Sequence, residues 1–476
     1  MLNLFTKEQL TELNEAVCNL LETEGMRVHY APLRDLLRQY GAGVNDEKMT
    51  VCFSREMINA LKQKQQDYAK NSTIFENPTN AYSPIVNDSI PFIYDLTTGK
   101  KRYATYEDAI ESIKVQHMIP EIKSVRVPTM ISDVPQVIEP LFRYRAVFDI
   151  TDKMTAPVGF WDDRLIPYFK EMDIINGVKE PSFFSANMVI SPMIIDESTG
   201  RKIIATAKEG YINRGATPMS TAGGTSAVTV EGTALMAATE ILGMALVLDI
   251  VNTHFGIDNP NKITGFCVTG VVDMRTLQGV FSSPEAILQD IMVHDMFKDI
   301  YSAKIRFNPD YTDAKLPGMQ CVLERVMKYS ACAYAGSTEY IEGYSIGNLL
   351  TCTVHSTTQM IIDLEIGRAL YKFFCRKQSV PMKKLLAETK EILQTGGHSF
   401  MMTDSTLDNY MDNFYSFIAD RSAWSDADIL QAENNIIKEA NIRYKKLLDS
   451  YVAPKLDATK LKALDKVIDR AKVELM

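Results

Sequence analysis

Residues 215–249, GATPMSTAGGTSAVTVEGTALMAATEILGMALVLD, constrain the fold more than any other stretch of the chain. Thr217, Met219 and Thr221 alternate toward Gly223-Gly224, as in a short strand that ends where the backbone must approach something closely. Ser226, Thr229 and Glu231 form a polar loop, and the apolar run Leu235 to Leu248 then favours helix, with Gly243 permitting close packing against a neighbour. The unit is strand, glycine loop, helix. In parallel α/β folds such loops lie at the carboxyl ends of the strands, where ligands bind. Taken alone, Gly223-Gly224 reads equally as a tight turn.

The same unit recurs along the chain. Strands are expected over 123–130, 155–160, 182–190, 217–221, 263–271, 304–307 and 337–341, with a short eighth over 351–354, and polar or glycine residues follow each one. This rhythm predicts a (β/α)8 TIM-type barrel over 91–377. A doubly wound sheet is the rival, and it would announce a nucleotide loop after its first strand, which is absent here. Residues 1–90 read as an N-terminal helical arm, with Leu10, Leu13, Ala16, Val17, Leu20 and Leu21 on one face, and 378–476 as a C-terminal helical extension broken at Gly396-Gly397-His398. Between arm and barrel, PFIYDLTTGKKRYAT predicts a hairpin turning at Thr98-Gly99, with Thr105 capping the next helix.

Composition narrows the chemistry. Among 476 residues, 51 Lys and Arg against 60 Asp and Glu give a net charge of −9 with no basic cluster, so nucleic acid is not an expected partner. The seven cysteines and six histidines are dispersed, with no CxxC and no HExxH, which argues against a zinc site and a disulfide framework. Neither GxGxxG nor GxxxxGK[ST] occurs. The N-terminus is an acidic amphipathic helix rather than a signal core, and no apolar run of spanning length escapes interruption by charge, so no membrane association and a cytoplasmic location are expected.

Six segments, YDLTTGKKRYAT (94–105), PMSTAGGTSAVT (218–229), SSPE (282–285), DAKLPGMQCVLE (313–324), STTQMIIDLEI (356–366) and GGHSFMMTDSTL (396–407), occur in an order that resembles the trimethylamine methyltransferase superfamily of corrinoid-dependent methyltransferases. The resemblance implies a (β/α)8 barrel that hands a methyl group from a methylated amine to cob(I)alamin on a separate small corrinoid protein, with no cofactor bound tightly to the barrel itself and a homo-oligomeric assembly. Trimethylamine enzymes of methanogens carry pyrrolysine in the barrel, whereas this chain has only ordinary residues. It is therefore similar to the non-pyrrolysine branch, whose members demethylate quaternary amines such as glycine betaine, proline betaine, carnitine and γ-butyrobetaine.

A quaternary ammonium has no N–H to donate, so aromatic faces with a nearby carboxylate are its expected complement. Phe160 and Trp161 after the second strand and Tyr344 after the seventh are the aromatic candidates, Trp161 foremost because two acids follow it. Glu342 and Asp313 are candidates to balance the ammonium, and Asn187, His355 and Arg275 to reach a substrate carboxylate. Each has a plainer reading as rim packing, a solvated acid or a core histidine. Gly223 and Gly224 are expected to face the corrin. Two other readings stay open: a non-catalytic amine-binding or regulatory barrel, and a lyase or aldolase with a Schiff-base lysine at Lys304 or Lys315.

Overall fold

The computed structural model describes residues 4–73, 81–178, 183–184, 187–213, 215–307, 310–336, 338–375, 381–394, 399–413, 416, 418–419 and 432–476. Among them the longest helix is Val230–His254, which starts where the Thr229 side chain accepts from Gly232 N at 3.1 Å. It is apolar on nearly every side and so requires burial all round. By length and composition it could cross a membrane, but 89% of its most apolar window is buried inside the fold. At Gly243 a Cβ would lie 2.7 Å from Met26 Sδ and 3.0 Å from Leu21 Cδ2, so the expected neighbour is the N-terminal segment.

That segment holds the helices Lys7–Thr23, Ala31–Gln39 and Arg55–Lys70. Thr6 and Gln9 form a capping box on the first, and Leu10, Leu13, Val17 and Leu21 are buried along one face. It also carries strands: Met26–Val28, Gly43–Asn45 and Thr50–Cys52 form a small sheet that pairs in parallel with Ile194–Ile195, tying the arm to the following elements. At the other end, Ala458–Leu475 buries Leu464, Val467, Ile468 and Ala471 against Leu165, Phe169 and their neighbours. The loop Gly396-Gly397-His398 lies outside the described residues.

Between the two ends, helices alternate with strands of two to four residues that pair in parallel in chain order. Ser124–Val125 pairs with Met154–Thr155, Val158–Gly159 with Phe183–Phe184, Met188–Val189 with Thr217–Pro218, Thr221–Ala222 with Gly270–Val271, and Gly265–Cys267 with Ile305–Phe307. The first six expected strands thus correspond to observed ones, although Ser182 lies outside the described residues. The last two expectations are corrected. Residues 339–342 form the helix Glu339–Glu342, and the strand is Ser345–Ile346; residues 351–354 belong to the turn and return strand of an antiparallel hairpin, Asn348–Leu349 with Val354–His355. Ser345–Ile346 pairs in parallel with Ile85–Val86, in the part of the chain expected to be a helical arm, and Ile90 bridges Thr129. Ile85–Val86 stands between Pro84 and Asn87-Asp88, with no alternating run to mark it in the sequence. Among the described residues no ladder joins Ile305–Phe307 to Ser345–Ile346, so the architecture is mixed helix and strand without a closed sheet.

Strand ends leave backbone N–H groups without a ladder partner. Among the described residues, helices meet this need with buried or half-buried carboxylates, Glu240 accepting from Met193 N at 2.8 Å and four more doing the same. Glu139 accepts from Ile131 N at 2.8 Å, Asp290 from Thr269 N at 3.1 Å, Glu324 from Asp313 N at 2.8 Å and Asp363 from Gly347 N at 2.8 Å. The loops beyond the strands are fixed from behind.

Candidate active site

Asp313 sits where three loops meet. Its Oδ1 accepts from Phe281 N at 3.1 Å and its Oδ2 from Ser282 N at 3.0 Å, and the Thr351 hydroxyl donates to Oδ1 at 3.3 Å. Its own N–H is shared between Glu324 Oε2 and Ser282 Oγ. A cavity of about 530 Å³ opens here, lined by Asp313 and residues 315–320, so the DAKLPGMQ segment forms its wall. Phe281, whose amide donates to Asp313, has its ring 5.8 Å from that of Tyr311 at 89°, edge to face. Gly270 and Gly279 leave room for Phe281, since a Cβ at either would come within 3.0 Å of its ring.

The third loop is strained. Leu350, Thr351 and Cys352 have φ of 46°, 53° and 58°, three consecutive side-chain-bearing residues in the left-handed region. This conformation costs roughly 1–2 kcal/mol per residue and persists only when the surroundings impose it. Leu350 N donates to Ala314 O at 2.8 Å and Thr351 N to Thr312 O at 2.7 Å, so the segment around Asp313 supplies that constraint.

Behind the loops lies a buried polar layer. Arg325 donates to Ser345 O at 2.7 Å and to Asn348 O at 3.0 Å, with Asp363 3.5 Å from its Nε. Tyr344 is fully buried in this layer, stacked on Tyr329 at 4.0 Å. His355 is pressed against Gly347, and burial pushes its pKa down to about 4, which keeps the ring neutral. Neither His355 nitrogen, nor Tyr344 Oη, nor Gln359 Oε1 has a hydrogen-bond partner among the described residues. Glu342 is buried at the end of its short helix, with its carbonyl accepting from Ser83 N at 2.7 Å.

The structure therefore gathers Asp313, Glu342, Tyr344 and His355 into one sector and leaves the other expected residues elsewhere. Phe160 is core, 5.4 Å from the Phe169 ring. Trp161 is 54% exposed, but Lys202 Nζ lies 5.0 Å from its ring, so a cation of the chain itself already occupies the indole. Asn187 is buried beside the Thr217 strand. Arg275 folds back on Asp273 at 2.7 Å at the tip of an exposed hairpin, so its guanidinium is already paired. Gly223, at φ 76°, admits Met274, whose Cε would lie 2.5 Å from a Cβ there, and Gly224 similarly admits Val272 at 3.1 Å. Gly223 is favoured by its left-handed backbone, and both glycines lie against side chains of the 270–280 hairpin. Phe281 and Tyr311 carry no mark in the sequence beyond their nearness to SSPE and to Asp313.

The comparisons with known proteins agree along the whole chain. The family described as trimethylamine methyltransferase (MTTB) matches residues 1–476. Glycine betaine methyltransferase of Desulfitobacterium hafniense is 24% identical over 96% of this chain and 94% of its own length. Trimethylamine methyltransferase MttB1 of Methanosarcina mazei is 22% identical over 99% of this chain and 95% of its own. Among solved structures, the monomethylamine methyltransferase MtmB of Methanosarcina barkeri aligns at 12% identity and a TM-score of 0.43, covering 93% of each chain. The chain belongs to the trimethylamine methyltransferase (MTTB) family.

Proposed function

We propose that the protein transfers a methyl group from a quaternary amine of the betaine type (glycine betaine, proline betaine, carnitine or γ-butyrobetaine) to cob(I)alamin carried on a separate small corrinoid protein. The observation that carries this reading is the Asp313 cleft. One carboxylate accepts from two backbone amides and the Thr351 hydroxyl, and Phe281, which gives one of those amides, sets its ring edge to face with Tyr311, a combination that suits a cation with no N–H. The similarity to a glycine betaine methyltransferase points the same way. The return of the parallel succession from Ser345–Ile346 to Ile85–Val86 supports a (β/α)8 barrel with this cleft at the carboxyl ends of its strands.

The partner-borne corrinoid would supply the nucleophile. On this reading Asp313 balances the ammonium, the rings exclude water around the N-methyl groups, and a contact of this kind contributes about 2 kcal/mol once desolvated. As the C–N bond breaks, its electron pair stays on nitrogen and the amine departs neutral, so no acid is needed. The neutral, sealed His355 is compatible with that requirement. The purified protein, a cob(I)alamin-loaded corrinoid protein and a panel of betaines should together change the visible spectrum of the cobalt. If every quaternary amine leaves the spectrum unchanged, the proposal fails.

A further inference from the structure

Lys328 lies on the helix Met319–Tyr334, where sequence alone suggests an ordinary surface lysine. It is instead 4% exposed, and its ammonium donates to Phe281 O at 2.9 Å and Tyr311 O at 3.3 Å. Asp290, Asp310 and Asp313 act on it through space, and no carboxylate among the described residues is in ion-pair contact with it. A buried ammonium without a contacting counter-ion is costly, and an apolar side chain is the usual occupant of such a position.

Its two acceptors explain its presence. They are the carbonyls of the two residues whose rings stand edge to face. One of them, Phe281 O, belongs to the peptide unit whose N–H, on Ser282, donates to Asp313 Oδ2 at 3.0 Å. A hydrogen-bonded chain thus runs from ammonium through one peptide group to the carboxylate, each link polarising the next. We propose that Lys328 is the positioning residue of the cleft, aiming the Asp313 carboxylate and setting the Phe281 and Tyr311 rings by holding their backbone from behind. The proposal rests on the cleft being the cation site.

Lys328→Met leaves both carbonyls unmet, and Lys328→Gln can still donate to one or both. With thermal unfolding as the check on folding, hydrogen exchange at the Phe281 and Ser282 amides should quicken about tenfold or more in Lys328→Met and less in Lys328→Gln, without any substrate. In turnover, Lys328→Met should raise the KM for the betaine about tenfold while the KM for the corrinoid protein stays within twofold. If Lys328→Met does not fold, Lys328→Gln carries the same comparison. Unchanged exchange at both amides, or a parallel rise of both KM values, overturns the proposal. A wild-type protein that demethylates no quaternary amine would sink the functional reading, and the exchange measurement would still decide the role of Lys328.

Discussion

The sector around Asp313 and the end of the second strand at Trp161 contain the same kinds of side chain, arranged to opposite effect. At Trp161 the indole faces Lys202, Asp162 pairs with Arg164 at 2.5 Å and Asp163 with Arg201 at 2.8 Å. Both acids there are met by a guanidinium. At Asp313 the carboxylate is met by two amides and a hydroxyl, which orient it without cancelling it. A carboxylate bound by a guanidinium has nothing left for a ligand cation, whereas one bound by peptide N–H groups retains its negative charge and has a fixed direction. The first arrangement is closed by its own ion pairs, and the second leaves a carboxylate oriented by neutral donors.

Three substitutions test this contrast. Asp313→Asn keeps the shape and removes the charge, and kcat/KM for the betaine should fall about 10³-fold, on the order of 4 kcal/mol, with thermal unfolding as the check on the fold. A loss below tenfold would mean that the charge is not used. The next effect is on stability in acid. His355 has its pKa lowered from 6.5 to about 4 in the fold, so below pH 6.5 the unfolded chain takes up a proton that the folded one refuses. That difference removes stability progressively between pH 6.5 and 4, up to about 3 kcal/mol. Urea unfolding across this window should therefore fall more steeply in the wild type than in His355→Gln, and parallel curves would remove His355 from the account. The smallest effect belongs to Trp161→Ala, which should change the betaine KM less than twofold, because the indole already faces a lysine. A tenfold rise would return the end of the second strand to the site.

Much of the order of elements was legible because it rests on local rules. Thr105 caps its helix and Thr229 the longest one, Gly99 turns its hairpin at φ 66°, and Gly243 meets a neighbour. The site was legible only in part. Asp313 is one of two candidate acids in the sequence, with a plainer reading as a solvated rim carboxylate, whereas Lys328 has helical spacing and no local mark of burial. Trp161 misled because its rarity says nothing of Lys202, which lies 41 positions away and reaches the ring only in the folded chain. Gly223 is expected from the sequence to face the corrin, and in the fold the end of the Met274 side chain lies against it. Ser345–Ile346 and Ile85–Val86 pair across more than half the chain, and no alternating run marks Ile85–Val86.

The helix Val230–His254 also bears on how the chain must reach its fold. By length and composition its most apolar window could cross a bilayer, and its cover within the fold includes Leu21 and Met26 at Gly243. Because those residues are synthesised some two hundred positions earlier, the arm is already available when the helix emerges. The N-terminal segment thus covers part of the most apolar helix among the described residues.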